Sequence, residues 1–195
     1  MGFLLRISHL IDVINTWIGK TSGWLLLLAV LISAVNAIVR KVFSVSSNAW
    51  LDAQWYLFGA VFMLCASYTL LKNGHVRIDL ISNRLSKRTR DLIDLFGHLF
   101  FLLPLTVLMV IESAPFALES YHQREGSANA GGLLVWPAKL LILVGFALLF
   151  VQAISEIIKR LAVLTGQLDD SEADPDTPDR PEMDLAEESR PPQSR

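Results

Sequence analysis

The chain has 195 residues, 52% hydrophobic and only 18% charged, with a formal net charge of −2. That composition argues against a soluble globular enzyme and a nucleic-acid binder, and the single Cys65 allows neither an intrachain disulfide nor a cysteine-based metal cluster. The charge is also unevenly divided: from Asp169 onward ten acids face three arginines, so this stretch carries −7 and the 168 residues before it carry +5.

Taken in chain order, residues 1–20 are amphipathic. Phe3, Leu4, Ile7, Leu10, Ile11, Ile14, Trp17 and Ile18 recur at helical spacing, with Arg6, His9, Asp12 and Thr16 elsewhere on the wheel. Beside a membrane span, such a segment predicts a helix lying in the membrane interface, and the alternative is a core helix packed on the protein's own cytoplasmic face. Four apolar runs follow, predicting spans over about 23–42, 51–71, 91–112 and 133–157. Each supplies the roughly 20 residues that a helix rising 1.5 Å per residue needs to cross the hydrocarbon core. Lipid offers the backbone no hydrogen bonds, so these runs should be helical. The first is longer than a signal-peptide core and is followed by Arg40-Lys41 instead of a small-residue cleavage site, so it is expected to be retained. Asp91 and Asp94 open the third, which contains His98 and the interior breaker Pro104. Lys139 stands near the start of the fourth, and Lys159-Arg160 lie just past its expected end.

The predicted fold is therefore an all-α integral membrane protein: an interfacial helix at 1–20, a four-helix transmembrane domain at 21–165, and a tail at 166–195. The tail is acidic, holds five of the eight prolines, and cannot bury enough apolar surface to offset its ordering entropy, so disorder is expected. Basic residues set the orientation. The N-terminus, the loop between spans two and three (Lys72, Arg77, Arg84, Lys87, Arg88, Arg90) and the stretch after span four carry ten positive charges, against at most four on the other side. Both termini are thus expected to be cytoplasmic.

Polar groups inside a membrane are costly and mark function by default. Here they cluster near span ends: Asn36, Asp52, Gln54, Glu112 and Lys139. A transporter with its own substrate site usually shows broken helices, repeats and polar midplane groups, and none is visible in these spans. Small redox anchor subunits hold haem between two histidines on facing helices, but of His9, His75, His98 and His122 only His98 falls within a span. Four spans without a midplane constellation read as a subunit working with a larger partner. No cofactor and no catalysis are expected. A haem- or quinone-linked anchor, or a free-standing four-helix scaffold, are the alternatives.

A set of short motifs then carries a resemblance. Phe58-Gly59-Ala60-Val61 and Ala66-Ser67-Tyr68-Thr69-Leu70 precede Gly74-His75-Val76-Arg77-Ile78-Asp79-Leu80. Leu85-Ser86-Lys87-Arg88-Thr89-Arg90 opens span three. Gly131-Gly132-Leu133, Trp136-Pro137-Ala138-Lys139 and Gly145-Phe146 lead into span four. In this order, over about residues 5–165, the chain resembles the DctQ-like small membrane subunit of tripartite ATP-independent periplasmic (TRAP) transporters. The resemblance implies a bacterial inner-membrane protein with no substrate site of its own. Its implied partners are a large DctM-like permease subunit, for which it is a static scaffold, and a DctP-like periplasmic solute-binding protein. The process implied is sodium-coupled uptake of an organic acid. Many members carry a glutamate near the outer start of span two, where this chain has Asp52 and Gln54.

The residues also admit a reading of their own. Gly74 suits a helix C-cap and Ser86 an N-cap. The basic stretch around them, with Arg77, Arg84, Lys87, Arg88 and Arg90, should attract anionic phospholipid at about 1 kcal/mol per charge; the equal alternative is that Arg77 and Asp79 pair within the loop or with the large subunit. Candidate partner or lipid contacts are Arg40, Asp52, Gln54, His75, Arg77, Asp79, Arg88, Arg90, Glu125 and Lys139. The charged connection from 112 to 139 is either the contact for the binding protein or a plain solvated loop. Gly59, Ala60, Ala66 and Ser67 suit close helix packing by span two.

Overall fold

The computed structural model describes residues 2–45, 47–72 and 87–166. The predicted cap residues Gly74 and Ser86, the candidate contacts His75, Arg77 and Asp79, and the acidic tail lie outside the described residues, as do the side chains of Arg88 and Arg90. The elements are α1 (Gly2–Phe43), α2 (Asn48–Leu71), α3 (Lys87–Gly97), a π turn (His98–Leu102), α4 (Leu103–Gln123) and α5 (Trp136–Leu164). Among the described residues there is no strand, only an isolated bridge between Gly126 and Leu134. Four helical stretches are long and apolar enough to cross a membrane, with α3, the π turn and α4 joined into one from Asp91 to Gln123. This is the all-α, four-span architecture expected from the apolar runs.

Three features add detail to the sequence reading. First, residues 1–20 are not set apart from the first span: α1 is a single helix of 42 residues. No proline falls at the junction. The hydroxyls of Thr21 and Ser22 donate to the carbonyls of Trp17 and Ile18 one turn back, so their polarity is satisfied without breaking the helix. At about 63 Å, α1 is roughly twice as long as the hydrocarbon core is thick. Second, the break expected at Pro104 takes a definite form. Proline has no N–H and its ring crowds the carbonyl four residues back. The chain widens into a π turn just before it, closed by the Leu103 N–H donating to the His98 carbonyl. Third, α5 continues to Leu164, so Lys159 and Arg160 lie inside the helix and are buried.

Packing is inside-out relative to a soluble bundle. Among the described residues, the buried apolar side chains are Leu70 and five alanines, whereas Phe62, Phe3 and Trp55 are each more than 70% exposed. The interior is instead small and polar at seven-residue spacing: Ser8, Asn15, Ser22 and Ala29 on α1; Thr106, Ser113 and Ser120 on α4; Gly145, Gln152 and Lys159 on α5. A strict repeat of seven keeps one stripe facing the partner helix, as in left-handed helix packing. Small residues let backbones approach where lipid supplies no hydrophobic drive. A Cβ on Gly19 would overlap the Tyr68 ring, and one on Gly145 would overlap Met63, so these glycines set the α1–α2 and α2–α5 contacts. From the predicted small face of α2, Ala60 and Ser67 are buried while Gly59 points outward. Helix α5 is the hub, packing against every other element.

Candidate functional site

The interior polar groups form one connected lattice. On α5, Gln152, Ser155, Glu156 and Lys159 stand at i, i+3, i+4 and i+7 and share a face; on α1, Ser8, Asp12 and Asn15 do the same. Asn15 Nδ2 donates to Gln152 Oε1 at 2.7 Å, and Ser67 Oγ on α2 donates to Asn15 Oδ1 at 3.0 Å. Gln152 Nε2 donates to Asp12 Oδ1 and Glu156 Oε1, both at 2.9 Å. The Ser8 and Ser155 hydroxyls pair at 2.6 Å, and Ser155 Oγ also donates to Asp12 Oδ1. Lys159 Nζ closes the lattice on Asp12 Oδ2 at 3.1 Å and Glu156 Oε1 at 2.6 Å. Gln152 has 0% exposure and Asn15 1%, so each bond replaces water that the site excludes. The directed donors and acceptors fix the register of α1, α2 and α5 together.

A second ion-pair group ties α3 to α5. Arg160 donates to Asp91 Oδ1 at 3.2 Å and lies 3.7 Å from Asp94 Oδ2. Asp91 and Arg160 are both buried. Beside this group, Leu92 and Ile93 of α3 are exposed apolar side chains.

At the other end of the bundle, the connection between α4 and α5 folds into a small hairpin. Arg124 ends α4 in the left-handed conformation. Ser127 N–H then donates to the Leu133 carbonyl, and Val135 N–H to the Glu125 carbonyl. The hairpin reverses at Asn129-Ala130-Gly131-Gly132, closed by Gly132 N–H donating to the Asn129 carbonyl, with Gly131 at φ 73°. The start of α2 grips this tip. Asp52 Oδ1 accepts from Asn129 Nδ2 at 2.8 Å, Oδ2 accepts from the Leu133 N–H at 3.0 Å, and Asn48 Nδ2 donates to the Ala130 carbonyl. Gly132 lies so close that a Cβ would overlap the Asp52 carboxylate. Asp52→Ala is expected to lower the thermal midpoint, because the Asn129 side-chain amide and the Leu133 N–H both lose their acceptor. Hydrogen exchange at the Leu133 amide should rise; exchange unchanged from wild type would contradict this grip.

Lys139 on α5 reaches back to Glu125 and lies 3.9 Å from the Phe116 ring centroid. The ammonium holds the Glu125 carboxyl below its ordinary range. Because the folded value is depressed, the stabilisation is complete above the ordinary glutamate pKa and is lost as pH falls through the lower, folded one. The thermal midpoint should therefore drop over that acid window in the wild type and drop less in Glu125→Gln. Parallel pH profiles for the two proteins would count against the pair.

The structure brings three of the ten candidate contacts together: Asp52 grips the hairpin that Glu125 and Lys139 clasp. Gln54 is half-buried on α2, and Arg40 is exposed at the far end of α1. His98 is half-buried at the start of the π turn. Asp12, Asn15, Ser67, Gln152, Ser155, Glu156, Lys159 and Arg160 were not singled out as sites by span-end charge or by histidine. The readable signal was the seven-residue recurrence of small and polar residues, together with the Gln152–Lys159 stripe. Among the described residues no group of three or more His, Cys, Asp or Glu could hold a metal ion.

These features define a multi-span helical membrane protein with a polar lattice at its centre. The family model of the tripartite ATP-independent periplasmic transporters, DctQ component, matches residues 21–163, and the chain belongs to that family. It is thus a small membrane subunit of a TRAP transporter, from a family of transporter components and not of enzymes. No curated protein and no solved structure matches it.

Proposed function

We propose that the chain scaffolds a large permease subunit during sodium-coupled uptake of an organic acid delivered by a periplasmic binding protein. In this reading it lies in the bacterial inner membrane with both termini cytoplasmic. The Asp52 hairpin then faces the periplasm, and anionic phospholipid lines the basic cytoplasmic loop. The observation that carries the scaffolding role is the interior lattice: its amides, hydroxyls and charges are bonded to one another across three helices, an arrangement that favours rigidity over solute binding. The clasped hairpin supports a preformed platform for the binding protein, and Asp52, Glu125 and Lys139 act in it as positioning residues.

Uptake into proteoliposomes tests this. With the large subunit, this chain and the binding protein present, an inward sodium gradient should drive accumulation of the radiolabelled acid that the binding protein retains. Omitting this chain should abolish accumulation. Undiminished uptake without it would overturn the scaffold role.

A further inference from the structure

The connection between α1 and α2 holds a cavity of about 120 Å³. Helix α1 ends at Phe43, Ser44 turns the chain in the left-handed conformation at φ 54°, and α2 starts at Asn48. Val35 and Val39 on α1, Val45 in the connection and Trp50 on α2 supply apolar walls. Val35, Val45 and Trp50 are exposed, so the cavity opens to the outside of the bundle. Two polar side chains, Asn36 and Ser47, line it as well. Asn36 is half-buried, and its amide meets no partner among the described residues. Ser47 has the extended backbone of a helix N-cap, φ −118° and ψ 122°, yet its hydroxyl makes no cap bond. An N-cap serine ordinarily accepts from a backbone N–H of the first turn. Here the hydroxyl is left for the cavity.

Arg40 stands one turn beyond Asn36 on the same side of α1, is exposed, and forms no ion pair among the described residues. Asp52, the acid at this end of α2, is already held by Asn129 and Leu133. The groups left over are an amide, a hydroxyl and a guanidinium, all able to donate, beside valine walls. Their complement is amphipathic, anionic and rich in acceptor oxygens. The level fits too: Arg40 and Lys41 close the first apolar run, Trp50 precedes the second, and bilayers place tryptophan at their interfaces. A cavity of about 150 Å³ admits benzene, so this one takes a glycerol backbone with its ester groups and not a whole acyl chain. A zwitterionic headgroup brings its own cation to the phosphate and competes with Arg40.

We propose that this cavity binds the glycerol-phosphate portion of an anionic phospholipid, whose ester carbonyls accept from Asn36 and Ser47 and whose phosphate accepts from Arg40. The acyl chains leave through the open side past Val35 and Trp50. The site lies at the end of α2 opposite the basic loop, and it is independent of the scaffold role.

The test titrates the full chain in mild detergent with phosphatidylglycerol or phosphatidylcholine. Native mass spectrometry counts the lipids retained, and the thermal midpoint is followed in parallel. Phosphatidylglycerol should be retained in preference and should raise the midpoint, because a ligand of the folded state stabilises it. Arg40→Gln should lower the affinity for phosphatidylglycerol about fivefold, the worth of one charge at a membrane surface. Val39→Trp fills the cavity without changing charge and should remove one retained phosphatidylglycerol per chain. Lipid held by the basic loop is the same in all three proteins and cancels in the comparison. Arg40 is exposed, so Arg40→Gln should melt with the wild type when no lipid is added. Phosphatidylglycerol retained by either variant as by the wild type, or phosphatidylcholine retained equally well, would overturn the site and leave water in the cavity.

Discussion

Lys159→Met is expected to cost about 3–5 kcal/mol, because removing one member of a buried ion pair leaves its partners desolvated and uncompensated. Lys159 and Glu156 side chains are 8% and 6% exposed, and Asp12 is 21% exposed, so water can relieve little of the loss. With the ammonium gone, two carboxylates face each other across the α1–α5 contact. The damage should spread, since Asp12 also accepts from Gln152 and Ser155, and Gln152 holds Asn15. The thermal midpoint of the purified protein in mild detergent measures it. The triple replacement Asp12→Asn, Glu156→Gln, Lys159→Met removes the charges together and should recover most of the loss, because deleting a whole buried ion group is often close to neutral. A single variant that melts with the wild type would refute the lattice as a structural element.

Arg160→Met should produce the next largest loss, about 2–4 kcal/mol. It is smaller because Asp94 is partly exposed and both Asp91 and Asp94 have further interactions. The effect should also be local. Helix α3 packs on α5 around this guanidinium, so amide exchange should accelerate in Lys87–Gly97 and change little in α2. Equal acceleration throughout the bundle would contradict the local tie.

Much of the architecture was legible in the sequence because apolar run length is a direct consequence of bilayer thickness. The four spans follow from it, and Pro104 marked where the third helix deforms. The continuity of α1 was not legible, since an amphipathic segment beside a span suits either a turn into the interface or a straight continuation. Burial of Ser8, Asn15 and Ser22 decides it. The lattice was hidden for a different reason. Weighing midplane charges and histidines passes over Ser67, Gln152 and Ser155, whose polarity matters only when all three helices meet. Lys159 and Arg160 lay past the apolar window and so were counted toward orientation, although the folded chain pairs them with acids 147 and 69 residues earlier. Asp52, Glu125 and Lys139 were visible as charges at span ends, but their shared hairpin depends on the turn at Gly131.

Affinity purification of the tagged chain from its native membrane in mild detergent tests the central claim most directly. A small subunit whose outer faces belong to lipid and a partner should bring down a many-span membrane subunit in about equal amount, and the complex should migrate as one species. A chain that elutes alone, stable and monodisperse, would contradict it.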